Sequence, residues 1–357
     1  MKAKLYLLIG SMTYSLSGWA QDDPLEQLAI VDGVAQIATA ADLENFAQAV
    51  NAGSLNLNAV LTADIDEYAG TPVSNVGADN AYLGTFDGQY HTITIDMTST
   101  GSGYGLFRAL SGTVKNLHVA GTLTAKHTRV GVICGEIFGG TIENCWSSAD
   151  IAALQGGDAA IAGICGRASG AGSTIKNCIY SGNVDGGDSG TYSCAGVVGW
   201  CPNAIDIVNC IVTGEFNVNH RSGYPLARFD SANNTNAKCV NCFYVDPNGA
   251  NSQPGATQVT MEQVASGEVC YLLNGDQSVI QWTQKIGEEN TPLPFPTSSV
   301  VSKNDDGTYG NTTGIKNVQD SSMRIQADEI YDLMGRKIDG RLPKGVYILN
   351  GKKVMMK

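Results

Sequence analysis

Ile142-Glu-Asn-Cys145 is one copy of a short phrase that recurs along the chain and determines its fold. The aligned copies are Val114-Lys-Asn-Leu117, Ile142-Glu-Asn-Cys145, Ile175-Lys-Asn-Cys178, Ile207-Val-Asn-Cys210 and the shorter Val240-Asn-Cys242. Their asparagines stand at positions 116, 144, 177, 209 and 241, so successive copies are 28, 33, 32 and 32 residues apart. A regular period of this size indicates a repeat architecture in which each unit packs on its neighbours.

A second apolar run, punctuated by glycine, precedes the phrase in each repeat. These runs are Gly105-Leu-Phe107, Val132-Ile-Cys134-Gly, Gly163-Ile-Cys165-Gly and Gly196-Val-Val198-Gly. A unit with two or three short strands cannot bury its own apolar face, whereas units stacked about 4.8 Å apart bury all of them in one column. We therefore predict an all-β parallel β-helix, in which each recurring asparagine hydrogen-bonds the asparagines above and below it.

Three stretches carry a resemblance to a known family. Tyr104-Gly-Leu-Phe107, Arg129-Val-Gly-Val-Ile-Cys-Gly and Thr141-Ile-Glu-Asn-Cys resemble the GLUG repeat of bacterial surface proteins, over roughly residues 84 to 245. The resemblance implies a right-handed β-helix with an adhesive or unknown role. It supplies no catalytic residues, and the recurring cysteines depart from the family pattern.

The chain begins with features of a secretory signal peptide. Lys2 and Lys4 precede a short apolar stretch that ends in Gly18-Trp19-Ala20, so we assign residues 1–20 to the signal and expect an exported protein. An N-terminal cap and first turns are predicted for residues 21–83, including an amphipathic helix after Thr39. The predicted GLUG-like repeats span residues 84–255. A closing segment follows over 256–297, with a capping box of Thr260 and Gln263.

The last sixty residues are predicted to hold a linker and a small β domain. Residues 298–319 are polar and rich in Gly, Asn and Ser, which favours a flexible linker. In residues 320–357, Tyr331-Asp-Leu-Met-Gly-Arg-Lys and Gly345-Val-Tyr-Ile resemble the sorting domain of the type IX secretion route in Bacteroidetes. The resemblance implies export to the outer-membrane surface or beyond, with the secretion machinery as a partner. The alternative is a tail that only stabilises the protein.

Charge and hydropathy exclude several classes of partner. The formal net charge is −12, and removal of Lys2 and Lys4 with the signal makes it −14. Such a charge repels nucleic acid and anionic lipid. No stretch after the signal is long and apolar enough for a transmembrane segment, and we predict no cofactor.

Ten cysteines in an exported protein raise the question of disulfides. Cys145, Cys178, Cys210 and Cys242 recur at the repeat spacing, so we expect them to stack inside the solenoid as buried free thiols. If bridges form, the local pairs Cys239 with Cys242 and Cys194 with Cys201 are the first candidates. A zinc site at Cys239 and Cys242 lacks two further ligands, so no metal site is predicted.

The residue after each corner position defines the candidate binding site. If the cysteines point inward, an outward column contains His118, Trp146, Ile179, Ile211 and Phe243. An exposed apolar stripe usually marks a contact surface, so the functional interpretation is a platform for a glycan or host-surface ligand, with Trp146 as the stacking residue. The alternative, which we prefer, is that loops or the C-terminal module cover the column.

Two other functions compete with this adhesin-like, non-catalytic interpretation. A polysaccharide-degrading enzyme would use Asp150 and Glu215, which align with Asn183 across successive repeats about 9.6 Å apart, near the upper limit for an inverting pair. A purely structural stalk would need no site. Asp64 and Asp66 would hold calcium or, as we prefer, cap a turn. We predict no catalytic residue, because none of the four histidines lies in a motif with a nucleophile.

Overall fold

A computed structural model describes residues 24–187, 194–218, 224–229, 238–249, 253–297 and 299–312. Beyond these it gives the backbone of four strands, Lys316–Asn317, Ile330–Tyr331, Gly345–Leu349 and Lys352–Met356. The predicted signal peptide lies outside the described residues, as does most of the predicted sorting domain. The described chain is mostly β-structure, coiled into a solenoid whose wall has three faces.

The first face leads into the asparagine corner. Its strands are Val34–Ile37, Asn58–Leu61, Thr85–Asp87, Thr113–Lys115, Thr141–Glu143, Ser173–Lys176, Ile205–Val208 and Lys238–Val240, with Ala29–Val31 paired antiparallel at one edge. From Val34 onward every pairing is parallel, in the order of the sequence. The predicted parallel stacking is confirmed.

The second face follows the corner. Its strands are Ile65–Tyr68, Thr92–Thr98, His118–Ala125, Trp146–Ser147, Asp150–Ala153, Ile179–Tyr180, Val184–Gly187, Ile211–Val212, Phe216–Val218, Cys242–Tyr244 and Ala256–Gln258. They form one sheet. In later turns two short strands take the place of one long strand. Trp146–Ser147 and Asp150–Ala153, for example, both pair with the long strand His118–Ala125.

The third face closes each turn. Its strands are Phe107–Leu110, Cys134–Phe138, Cys165–Gly170, Val198–Cys201 and Ala227–Phe229, and the short strands Val130–Gly131, Ile161–Ala162 and Cys194–Ala195 form a narrow sheet beside them. In register, Phe107, Cys134, Cys165, Val198 and Ala227 lie one above another. We call each full turn of the chain a rung. The third face therefore has five rungs.

The asparagine corner is a continuous hydrogen-bonded ladder. All five asparagines have φ between 50° and 54°, in the left-handed region that Asn tolerates better than most residues. The Nδ2 group of each donates to Oδ1 of the one before it, at 2.9–3.1 Å. The ladder begins at Asp87 Oδ1, which accepts from Asn116 Nδ2, and ends where Asn241 Nδ2 reaches the carbonyl of Leu272. The predicted stacking of the asparagines is confirmed.

The cysteines that follow the corner lie inside the solenoid. Cys145, Cys178, Cys210 and Cys242 belong to the main hydrophobic core, together with the inward residues of all three faces. All ten cysteines of the chain are buried and free, including the two pairs considered above for local bridges. Burial raises the pKa of the Cys178 and Cys201 thiols, so they stay protonated and pack as small apolar side chains.

The predicted N-terminal helix spans Ala40–Asn51. Thr39 and Asp42 form a capping box, in which Thr39 Oγ1 accepts from Asp42 N and the Asp42 carboxylate accepts from Thr39 N. The apolar face of the helix is buried in the main core. There the ring of Phe46 contacts those of Tyr82 and Phe86 at centroid distances of 5.8 and 5.7 Å. A short 3₁₀ helix, Ala78–Asn80, precedes the third strand of the first face.

The segment after the repeats packs on the outside of the second face. It contains the helices Met261–Ala265 and Glu268–Leu273, and the predicted capping box of Thr260 and Gln263 is present. An antiparallel hairpin, Val300–Lys303 with Tyr309–Thr312, follows where a linker was expected. Its turn closes through Gly307 N and Asn304 O, and Val301 is buried, so this part of the chain is structured. We call residues 259–312 the closing segment.

Candidate functional site

The predicted outward column exists as a register of stacked residues. Trp146 pairs with His118 on one side and Ile179 on the other, and Ile211 and Phe243 continue the same line. The sequence alignment therefore placed these five residues correctly relative to one another.

The column is not an open surface, because the closing segment covers it. Ile179 and Ile211 are fully buried, and Phe243 is nearly so, in a second hydrophobic cluster. The residues that the closing segment adds to this cluster are Val259, Val264, Val269, Cys270, Leu273, Trp282 and Val301. The expectation of an exposed platform is wrong for these three residues of the column. The alternative expectation, that a C-terminal module covers them, agrees with the structure.

Trp146 and His118, the remaining members, are engaged with each other. Their rings stack at a centroid distance of 3.8 Å and an interplanar angle of 9°. Trp146 Nε1 donates to Ser181 Oγ at 2.7 Å, and Phe295 of the closing segment lies 6.3 Å from the Trp146 ring. One face of the Trp146 indole is therefore occupied. This ring was predicted to stack on a ligand, and it stacks on the His118 ring of the neighbouring rung instead.

His118 lies beside a hydroxyl, a pairing that the sequence did not reveal. Its Nε2 is 2.7 Å from Ser148 Oγ and its Nδ1 is 3.0 Å from Thr92 Oγ1. Burial lowers the pKa of His118 to about 4, which makes the imidazole a weak base. A nucleophilic triad orients its histidine with a carboxylate, whereas here the second nitrogen meets a threonine. The arrangement is a hydrogen-bonded column of side chains.

Of the two carboxylates considered for an enzyme, Asp150 accepts a hydrogen bond from the backbone of the next rung, and Glu215 takes part through its backbone N–H. Asp150 Oδ1 accepts from Asn183 N at 2.8 Å, and Asn183 Oδ1 accepts from Glu215 N at 3.0 Å. Asp150 and Glu215 are exposed. Their alignment is real, and it has a structural cause in these side-chain-to-backbone bonds.

Asp64 fulfils the role of a turn cap. Its Oδ1 accepts from Thr92 N at 2.9 Å and lies 3.0 Å from His91 Nδ1. In the part of the chain that the structure describes, no group of three or more His, Cys, Asp and Glu residues is placed to hold a metal ion.

The third face carries a site that the sequence analysis missed. On four successive rungs of this face, Ala109, Glu136, Arg167 and Trp200 lie one above another in register, and Ala109 is fully buried. Arg108, Arg129 and Ser169 flank this line and, together with Glu136 and Arg167, line an open groove of about 720 Å³. A smaller recess of about 270 Å³, which also contains Asp158 and Trp200, adjoins it and shares Arg129 and Arg167. We call the two together the arginine groove.

Glycines explain how the chain builds this groove. Three of the groove residues follow a glycine, in Cys134-Gly-Glu136, Cys165-Gly-Arg167 and Val198-Gly-Trp200. A Cβ atom on Gly166 would lie 2.4 Å from the carbonyl carbon of Arg129. The strand can therefore approach the corner at Arg129 only because this position has no side chain. Arg129 itself has φ of 61°, an unfavourable backbone conformation held by the packing.

Arginine is concentrated on this face. Between residues 24 and 312 the sequence has five arginines, at positions 108, 129, 167, 221 and 228. The structure describes four of them, and all four lie in or beside the arginine groove, since Arg228 contacts Asp158 of the smaller recess. In a chain of net charge −12, this is a local cationic patch in which four guanidiniums face two carboxylates.

Glu136 is the buried centre of the groove. Its side chain is 7% exposed, with Arg129 Nη1 3.0 Å from Oε1 and Arg167 Nη1 3.7 Å from Oε2. Ser169 Oγ donates to Oε2 at 2.7 Å. Because Arg129 and Arg167 are 35% and 27% exposed, each guanidinium keeps part of its surface open to the groove. Glu136 therefore orients the two arginines without enclosing them.

Two further observations indicate that the groove has unused binding capacity. Arg108 donates to the carbonyls of Gly103 and Ser102 and forms no ion pair within the described residues. The buried Nε of Arg167 has no hydrogen-bond acceptor in the described part of the chain. The Arg167 guanidinium lies over the Trp200 ring, 4.7 Å from its centroid. Guanidinium groups have donors that match a carboxylate or sulfate, and an aromatic ring offers an apolar surface beside them.

Comparison with solved structures identifies the fold. A crystal structure described as a "putative immunoglobulin A1 protease" from Bacteroides ovatus superposes with a TM-score of 0.50 and 17% sequence identity, over 72% of this chain and 91% of that one. At this identity the likeness concerns the fold alone. No protein-family model matches the chain, and no curated protein matches it. Among the described residues, no helix has both the length and the hydropathy that crossing a membrane requires.

Proposed function

We propose that this protein is an exported, adhesin-like β-solenoid that binds an anionic ligand in the arginine groove and does not catalyse a reaction on it. The observation that carries the proposal is the convergence of Arg108, Arg129 and Arg167 on one open groove of an acidic protein. Arginine presents a planar fork of donors that matches a carboxylate or sulfate. Local positive potential raises the concentration of an anion at this face despite the overall negative charge.

The groove favours binding over catalysis because its acids are already engaged. Glu136 is bonded by Arg129 and Ser169, and Asp158 is paired with Arg228. Hydrolysis of a glycoside by a carboxylate pair needs one group to donate a proton and a second to attack or activate water. Carboxylates fixed by guanidiniums serve instead to position cations. The protease name of the structural neighbour adds no reaction to this account, since the likeness extends only to the fold.

The cellular setting in this proposal comes from the sequence. The signal-like residues 1–20 support export, and the tail that resembles a type IX sorting domain supports delivery to the outer-membrane surface or the medium of a Bacteroidetes cell. The GLUG resemblance supports a right-handed coil. The helix Ala40–Asn51, with its apolar face in the core, supports a capped first rung, since an exposed sheet edge invites aggregation.

A binding screen with a parallel activity assay tests this function. The chain from Gln21 to Lys357 is applied to an array of glycans and host-matrix proteins, and the same polysaccharides are assayed for released reducing ends. The groove variant carries Arg108→Gln and Arg129→Gln. The control carries Lys115→Gln and Lys176→Gln, which remove two charges from the first face, where each lysine pairs with an acid.

The expected result is binding to anionic ligands, lost in the groove variant and kept in the control, without released reducing ends. Release that disappears in Asp150→Asn or Glu215→Gln would establish the enzyme alternative. If the protein binds none of the ligands, the structural stalk is the interpretation that remains. Equal loss in both double variants would show that overall charge, rather than the groove, attracts the ligand.

A further inference from the structure

We infer that the ligand of the arginine groove is a linear acidic polysaccharide lying along the solenoid axis, with its uronic acid carboxylates on the guanidiniums. This inference rests on the proposed function and narrows it from an anion to a chemical class and an orientation.

The cations are spaced along the axis by the rungs of the third face. Arg108 belongs to the rung of Phe107, Arg167 to that of Cys165 and Arg228 to that of Ala227, so the three stand on the first, third and fifth rungs. Rungs are about 4.8 Å apart, which places these arginines about 10 Å from one another along the axis. A polymer with regularly repeated carboxylates can contact several of them at once, whereas a single anion cannot.

The chemistry beside the cations fits an acidic sugar. The smaller recess combines the Trp200 ring with the guanidiniums of Arg129 and Arg167. A uronic acid presents an apolar face of ring C–H groups next to a carboxylate, and aromatic rings pack on the first while arginines bind the second. Ser102 and Ser169 add hydroxyls in the larger part of the groove. An inorganic anion would make no use of Trp200.

The form of the groove favours a chain over a small molecule. The Glu136 side chain forms the centre of its floor, and the lining extends from Val76 and Ser102 at one end to Trp200 at the other. This is an open surface trough and not an enclosed cavity of the kind that buries a small ligand. Affinity then comes from several weak contacts made by one polymer, so it depends on polymer length.

Calorimetry with oligogalacturonates of two to eight sugars tests the inference on the chain from Gln21 to Lys357. We expect the dissociation constant to fall at least tenfold from the dimer to the hexamer and then to level off. Fully methyl-esterified hexamer, which has the same backbone without charge, should bind at least tenfold more weakly than the acid. Arg108→Gln should weaken hexamer binding at least fivefold, and Lys176→Gln, the matched loss of one charge on another face, less than twofold.

The outcomes separate this inference from the proposed function. If sulfate or monomeric galacturonate binds as tightly as the hexamer, the inference of a polysaccharide ligand is wrong, and the proposed anion site is retained. Binding of poly-glutamate but no oligogalacturonate would replace the sugar by an acidic peptide. Equal binding of the acid and its methyl ester would overturn the role of the carboxylates. If neither oligogalacturonate, poly-glutamate nor sulfate binds, and Arg108→Gln changes nothing, both the inference and the proposed function fail.

Discussion

The Oε1 atom of Glu136 lies 3.0 Å from Nη1 of Arg129, and this ion pair fixes the corner residue of one rung to the strand that follows it. The pair holds the groove together, because Arg167 and Ser169 of the next rung approach the other oxygen of the same carboxylate. Its position at the floor of the groove means that Glu136 both orients the arginines and competes with any ligand for them.

Replacement of Glu136 by Gln should therefore change stability and affinity in opposite directions. Loss of the charge leaves two guanidiniums near one another, so we expect the free energy of unfolding to fall by about 2 kcal/mol, less than for a fully enclosed pair. Affinity for anions should rise several-fold, because the competing carboxylate is gone. Glu143→Gln is the control, since its pair with Lys176 is more exposed and should cost under about 1 kcal/mol. Urea unfolding and calorimetry measure the two effects, and lower anion affinity in Glu136→Gln would contradict the competition.

The asparagine ladder predicts a graded response at Asn177. Asn177→Gly keeps the left-handed backbone and loses two amide hydrogen bonds, at a cost of about 1–2 kcal/mol. Asn177→Ala adds the strain of a positive φ, about 1 kcal/mol more. The midpoint of thermal unfolding should thus be highest for the wild type, lower for Asn177→Gly and lowest for Asn177→Ala. Equal midpoints for the two variants would show that backbone conformation contributes nothing at this corner.

Close packing behind the groove predicts that Gly166 cannot accept a side chain. A Cβ at this position meets backbone atoms of Arg129 and Val130 at 2.4 and 2.6 Å, so Gly166→Ala should cost about 3 kcal/mol and distort the groove. Gly172→Ala is the matched control, because Gly172 has φ of 79° and open space around it. That variant should cost only about 1 kcal/mol, the price of its backbone conformation. Comparable losses in both would mean that the tight approach at Gly166 has little energetic weight.

His118 predicts a loss of stability on acidification. Burial lowers the pKa of His118 to about 4 in the folded protein, from an ordinary value of 6.5, so the unfolded chain takes up the proton first as pH falls. Stability should therefore decrease between about pH 6.5 and pH 4, by about 3 kcal/mol from this group. His118→Gln should remove most of the slope in this window. A wild-type stability that is flat from pH 6.5 to pH 4 would show that His118 is not desolvated.

Apart from the capping boxes at Thr39 and Thr260, which have local sequence signals of their own, the features that could be predicted from the sequence all repeat. Asn144 and Asn177 lie one period apart, so an alignment of the chain with itself already places one above the other. The same holds for the column of Trp146 and Ile179. A strict period in sequence becomes a straight line in space, and for that reason the ladder, the buried cysteines and the parallel sheets could be predicted.

The arginine groove could not be found in this way, since its charged residues do not share one repeat position. Arg129 stands at a corner before a short strand, whereas Arg167 lies within the third face, and the fold alone brings them to one carboxylate. A signal was present in the change from Glu136 to Arg167 to Trp200 after three aligned glycines. The cover over Ile179 and Ile211 was hidden for a different reason, because the closing segment lies outside the repeats and its docking has no period.

Hydrogen exchange of the chain from Gln21 to Lys357, with and without the galacturonate hexamer, tests the central claim most directly by locating the bound ligand. The account predicts slower exchange in residues 99–104, 129–136 and 165–170, which line the arginine groove, and no change in residues 90–95 and 146–148 on the second face. Slower exchange around Tyr90 and Trp146, with none in the groove, would contradict it and return the binding site to the aromatic column.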